Sequence, residues 1–110
     1  MENKPVMDAA DIEKNKGLAI VAYIIFFIPL LAAKDSRFAM YHANQGLLLL
    51  LTALILNLIS GLIPIIGWFI IMPLGNLFVF ILFIIGIINA AGGKARPLPL
   101  IGKINIIPLP

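Results

Sequence analysis

The sequence has no cysteine, a single histidine and few charges, and from Phe38 to Gly93 it runs for 56 residues without one Asp, Glu, Lys or Arg. The absence of cysteine excludes disulfides, thiol catalysis and cysteine metal sites, and leaves the redox compartment open. A lone His42 beside Asp35 is too small a ligand set for a metal, and neither Ser36, Thr52 nor Ser60 has a base within sequence reach for nucleophilic catalysis. The charge-free run excludes a soluble domain. A bilayer core about 30 Å thick takes about 20 apolar residues per helical crossing, so the run holds two crossings and a turn.

What is present agrees with that class. The chain is 62% hydrophobic and 12% charged, with a mean hydropathy of +1.10, and its 110 residues allow one compact unit. Eight Lys and Arg stand against five acids, but this excess does not point to nucleic acid. The charges lie in the first 16 residues, in Lys34 to Arg37 and after Gly93, where a membrane protein meets water and lipid headgroups.

The expected fold is all-α, an integral membrane protein with three transmembrane helices. It divides into a polar N-terminal tail (1–16), a helical membrane domain (17–93) with crossings at about 17–33, 45–63 and 68–91, and a Pro-rich interfacial C-terminal tail (94–110). A cleaved signal peptide is disfavoured by the acidic tail before the first apolar block and by Lys34 directly after it. That block is short for a crossing, and Pro29 removes a backbone donor in its last third, so a re-entrant hairpin is the alternative. Asp35 or Ser36 is placed to cap a long second helix, whose entry is polar and amphipathic before it becomes purely apolar. Gly61, Pro64 and Gly67 signal the turn to the third crossing, with Trp68 as an interface anchor, and Gly92-Gly93 ends that crossing.

Three crossings place Lys34, Arg37, Lys94, Arg96 and Lys103 on one side and Lys4, Lys14 and Lys16 on the other. The positive-inside rule then predicts a cytoplasmic C-terminus with the N-tail outside. A re-entrant first block puts both termini inside.

Small residues are the natural contacts between helices in lipid. Gly46, Ala53, Asn57 and Gly61 recur on one face of the second helix, and Gly75, Gly86, Ala90 and Gly93 fall close to one face of the third. These stripes are expected to meet in an antiparallel hairpin, with Asn57 satisfied across the interface. The candidate functional feature is the polar entry. Tyr41, His42 and Gln45 share a helical face while Asn44 points elsewhere, and Asn89 and Arg96 close the third helix on the same side, forming a polar rim or partner contact. With Asp35 seven residues earlier, His42 reads as a proton acceptor or ion contact; the plainer reading is an interfacial belt with Tyr41 at headgroup level and amides meeting water.

The series Ala33-Lys34-Asp35, then His42-Ala43-Asn44-Gln45-Gly46, then Ala90-Ala91-Gly92-Gly93-Lys94 with Pro97-Leu98-Pro99-Leu100-Ile101-Gly102-Lys103 resembles small bacterial membrane proteins of the Tic-twenty-like family, related to a chloroplast protein-import component. The resemblance covers roughly 17–104 and implies a helical multi-pass inner-membrane protein. The plastid relative has four crossings and belongs to a translocon, against three counted here.

The expected role is a non-catalytic, complex-forming or accessory subunit without cofactors, whose partners are the lipid bilayer and either further copies of itself or other membrane proteins. The alternative is a transport or protein-translocation component. Copies or partners would then surround a path lined by Tyr41, His42, Asn44, Gln45 and Asn57, although no charge lies inside the crossings as conducting paths usually require.

Overall fold

A computed structural model describes residues 7–109; Lys4, the rest of the first six residues and Pro110 lie outside the described residues. Among the described residues there are helices and no strands. They are α1 (Ala9–Val21), α2 (Phe27–Ala32), α3 (Arg37–Leu62), a π-helical segment Gly67–Ile71, and α4 (Met72–Ala91).

The polar segment expected as a tail is helical from Ala9 onward. Asp8 caps α1 by accepting the Ala10 N–H, and Ala, Glu and Lys are good helix formers through the first turns. The block 17–33 is not the single helix that a first crossing requires. α1 stops at Val21, residues 22–26 turn, and α2 runs for six residues. Pro29 supplies the reason. In a continuous helix its ring would strike the Ile25 carbonyl, whereas in the first turn of α2 its missing N–H has no intrahelical partner to lose. Two helical segments, Arg37–Leu62 and Gly67–Ala91, are long and apolar enough to cross a membrane, in place of the three expected.

Ser36 caps α3, its hydroxyl accepting the Ala39 N–H at 3.0 Å. At about 1.5 Å per residue its 26 residues reach about 39 Å, longer than a hydrocarbon core. The return to α4 is tight. Gly67 lies against the Ser60 carbonyl, where a Cβ would stand 2.0 Å from the oxygen, and the Trp68 indole donates to the Gly61 carbonyl at 3.1 Å. Pro73 cannot donate to the Phe69 carbonyl, and the wider π turn just before it, closed by Met72 N–H to Gly67 O, accommodates that loss. α4 ends in a Schellman motif: Gly93, at φ +72°, donates to Ala90 O and Lys94 to Asn89 O.

The buried core sits at the charged end. Ala19, Tyr23, Phe38, Leu49, Leu82, Ala90 and Leu98 bring α1, the 22–26 turn, α3, α4 and the C-terminal tail together. Toward the other end Leu54, Leu58 and Leu62 on α3, Phe69 in the π-helical segment, and Leu74 and Leu77 on α4 are exposed, as lipid-facing residues are.

The two small-residue stripes do not meet as expected. Gly75 faces Leu56, and Asn57 pairs with Asn76 by two reciprocal amide hydrogen bonds of 3.0 and 2.9 Å, so this part of the α3–α4 contact is present. Gly46 instead faces the Ala22 carbonyl, Gly86 faces the Tyr23 ring, Gly93 faces Ile12, and Gly61 faces open space. The 22–26 turn takes up the face that the hairpin reading assigned to the partner helix.

Candidate functional site

The polar entry of α3 is a clamp. His42 is fully buried among three aromatic rings, with centroid distances of 4.8 Å to Phe38 and 5.4 Å to both Tyr23 and Tyr41. Its Nε2 lies 2.9 Å from the Lys94 carbonyl, which can only accept, so Nε2 carries the proton. Nδ1 is then the acceptor for the Tyr23 hydroxyl at 2.5 Å. Both ring nitrogens are taken, and Asp35 is not among their partners.

Gln45 is also fully buried. It donates to the Gly102 carbonyl at 2.9 Å and accepts the Leu98 N–H at 2.8 Å. Asn44, expected to point elsewhere, reaches further along the same tail. Its amide donates to Ile104 O at 2.8 Å, and its oxygen accepts from Ile106 N–H at 2.7 Å and Ile107 N–H at 3.0 Å. Residues 94–109 form turns and irregular chain with no helix or strand to satisfy their backbone. His42, Asn44 and Gln45 on α3 supply partners to six of these backbone groups.

These contacts correct both sequence-based readings of the entry. Its amides do not meet water at an interface, and they do not line an open path, because the folded-back tail occupies them. Tyr41 is half-buried and Asn89 buried, while Arg96 is exposed. The Pro-rich tail expected to lie extended along the interface is pinned over α3. Gly102 permits the approach: a Cβ there would stand 2.6 Å from Gln45 Oε1 and 2.2 Å from the Leu98 nitrogen.

A second, partly buried polar junction was missed in the sequence. Asp11 on α1 accepts the Ser36 hydroxyl and the Phe38 N–H at 3.1 Å, and is itself held by Asn15 at 2.8 Å. A carboxylate from another element thus sits at the N-terminus of α3, where unpaired N–H groups and the helix dipole favour negative charge. Desolvation alone would raise the Asp11 pKa, but the hydrogen bonds from Ser36, the Phe38 backbone, Asn15 and the Arg37 backbone prevail and hold it below the ordinary carboxylate value. The available signal was the Asp11–Asn15 spacing on a helix; the helix itself was read as a tail. Asn76, the partner of Asn57, was likewise missed.

Among the described residues no group of three His, Cys, Asp or Glu lies together to hold a metal. The Tyr23–His42 pair ends on the backbone carbonyl of Lys94.

Comparison with known proteins identifies relatives. The chain is 33% identical over 89 residues to UPF0132 membrane protein MJ1527 of Methanocaldococcus jannaschii, a stretch covering 77% of this chain and 63% of the relative. It is 35% identical over 85 residues to UPF0132 membrane protein MJ1443 of the same archaeon, covering 77% of this chain and 73% of that relative. The chain therefore spans less than two thirds of the first relative's length. No solved structure matches. The expected Tic-twenty-like membership is overturned, because the matching family is a different one and these relatives are archaeal; the bacterial attribution falls with it. The shared motifs that suggested it, His42 to Gly46 and Pro97 to Lys103, are the two halves of the tail clamp. With a match running from residue 14 to residue 107, the protein belongs to the MamF_MmsF family, the magnetosome magnetite crystal formation protein family.

Proposed function

We propose that this membrane protein is a non-catalytic accessory subunit that crosses the bilayer twice as an antiparallel hairpin and meets its partners through a folded, charged cap on one side. The observation that carries this reading is the collection of charge at one end. Asp11 of α1 contacts the start of α3, the Lys94 carbonyl accepts from His42, and the Gly102 to Ile107 stretch is held by Asn44 and Gln45. Lys14, Lys16, Lys34, Arg37, Lys94, Arg96 and Lys103 therefore lie on one side, and the Gly61 to Trp68 turn opposite carries no charge. The positive-inside rule makes the charged side cytoplasmic, so that α1 and the C-terminal tail share it.

The cap has the makings of a contact surface. The head of α1 and the 33–36 loop enclose an open polar hollow of about 450 Å³ lined by charges of both signs, Asp8, Asp11, Lys14, Lys34 and Asp35 among them. The family's description concerns magnetite crystal formation in magnetosomes; to this chain it lends a contribution to a membrane-bound assembly.

The test is photo-cross-linking in the membrane from Arg96, which is exposed, rather than from Gln45, which would report only the chain's own tail. Attachment of a second copy or of another membrane protein is the expected result. Recovery of monomer and lipid alone would overturn the accessory reading.

A further inference from the structure

The two candidate spans are accompanied by two elements that do not span, and both enter from the same side. Counting back from Leu62 at about 1.5 Å per residue, a hydrocarbon core about 30 Å thick ends near Ala43. The Ala22 carbonyl touches Gly46, about 24 Å from the Leu62 end and so about 6 Å inside that boundary. Gln45 holds Leu98 and Gly102 at nearly the same level. That is the depth at which interfacial elements bury their apolar faces, about 5–10 Å.

The surfaces of these elements fit that depth. In the re-entrant segment Ile24 is 66% exposed and Leu31 80%; in the tail Leu100 is 89% exposed and Ile104 57%. Residues 92–110 contain Lys94, Arg96 and Lys103 and no acid, which suits anionic headgroups above the inserted apolar residues. A cavity of about 530 Å³ lies under Ala22 to Phe27, walled by Leu49, Ala53, Val79 and Phe83, and toward Leu62 only α3, the π-helical segment and the first half of α4 continue among the described residues.

From this geometry we infer that the chain is a leaflet-asymmetric wedge, which concentrates on anionic bilayer that is convex on the charged side. Four elements (the α1–α2 hairpin, the tail, α3 and α4) occupy the leaflet at the charged end, and two occupy the other. Bending toward the charged side spreads the headgroups of that leaflet and opens the packing gaps that the two shallow elements fill. The inference rests on the two-span reading above.

The full chain, labelled with a dye at Gly17→Cys, which is exposed with open space around it and is unique in a cysteine-free sequence, is reconstituted into giant vesicles of phosphatidylcholine with phosphatidylglycerol. Tubes are pulled outward, and label density on tube and vesicle is compared. A membrane-impermeant quencher reports which side Gly17→Cys faces, and a parallel Ile104→Cys sample reports the tail. Molecules with the charged side outward are expected to be enriched several-fold on the tube, and those with it inward to be depleted, a contrast that needs no folding variant. The Leu100→Ser, Ile104→Ser, Ile106→Ser triple variant should move the outward ratio toward one. Equal densities on tube and vesicle for both orientations would overturn the wedge while leaving the two-span reading intact. Opposite sidedness of Gly17→Cys and Ile104→Cys would instead overturn the two-span reading, and the wedge with it.

Discussion

Tyr23 and His42, nineteen residues apart in sequence, meet through a 2.5 Å hydrogen bond that joins the 22–26 turn to the first turns of α3. Because the Nε2–H of His42 donates to Lys94 O, this single side chain ties the turn, α3 and the exit of α4 together. Tyr23→Phe keeps the ring that packs on Gly86 and removes only the hydroxyl, leaving a buried acceptor unpaired at a cost of about 1–3 kcal/mol. Thermal unfolding in detergent should show the loss, and His42→Ala should lose more because it also empties a buried site and frees the Lys94 carbonyl. Unchanged stability in both variants would remove the clamp's energetic role.

Release of the tail should be separable from unfolding of the helices. Gln45→Leu keeps roughly the side-chain volume but orphans the Leu98 N–H and the Gly102 carbonyl. Hydrogen exchange should quicken across residues 98–107, and trypsin should reach Lys103 sooner, while α4 keeps its protection. Protection of the tail equal to that of the unaltered protein would show that Asn44 and packing hold it alone.

Two glycines on the same helix should respond in opposite ways. Gly46→Ala brings a Cβ to 2.0 Å from the Ala22 carbonyl, a backbone atom that can yield only by moving the turn, and should destabilise the fold. Gly61→Ala meets nothing within 4 Å and should be neutral or stabilising by up to about 1 kcal/mol, the usual gain of Ala over Gly within a helix. Comparison of the two melting temperatures checks this.

Acid should weaken the junction of α1 with α3. The folded-state pKa of Asp11 is lowered, so its contribution is fully present above the ordinary carboxylate value of 3.8 and is lost as pH falls through the lower folded value. Asp11→Asn should flatten that part of the pH–stability profile, read by chemical unfolding at a series of pH values. A profile with the same acid limb in the variant would assign the loss to another carboxylate.

The helices were legible where local chemistry decides. Ser36 as a cap, the apolar run to Leu62, the Gly and Pro punctuation of the return and the Gly92-Gly93 stop are all short-range signals, and the corresponding elements are present. α1 was not legible as part of the fold, since Asp11 and Asn15 look like solvated tail residues until Ser36 and Phe38 stand beside them. The polar entry was recognised as unusual but its partner was not. A side-chain amide in a sequence says only that it needs partners, and the partners of Asn44 and Gln45 are backbone groups more than fifty residues away.

The sequence by itself determined that this is a helical membrane protein without disulfides, because an uninterrupted apolar run has no other solvent than lipid and no cysteine is available. Only the tertiary structure decided that the first apolar block turns back at residues 22–26, that Gly46 and Gly86 receive that turn, and that His42, Asn44 and Gln45 hold the tail. The physical reason is one of range. Hydropathy and backbone propensity act on neighbours along the chain, whereas the satisfaction of buried polar groups depends on which distant backbone the fold brings within hydrogen-bonding distance.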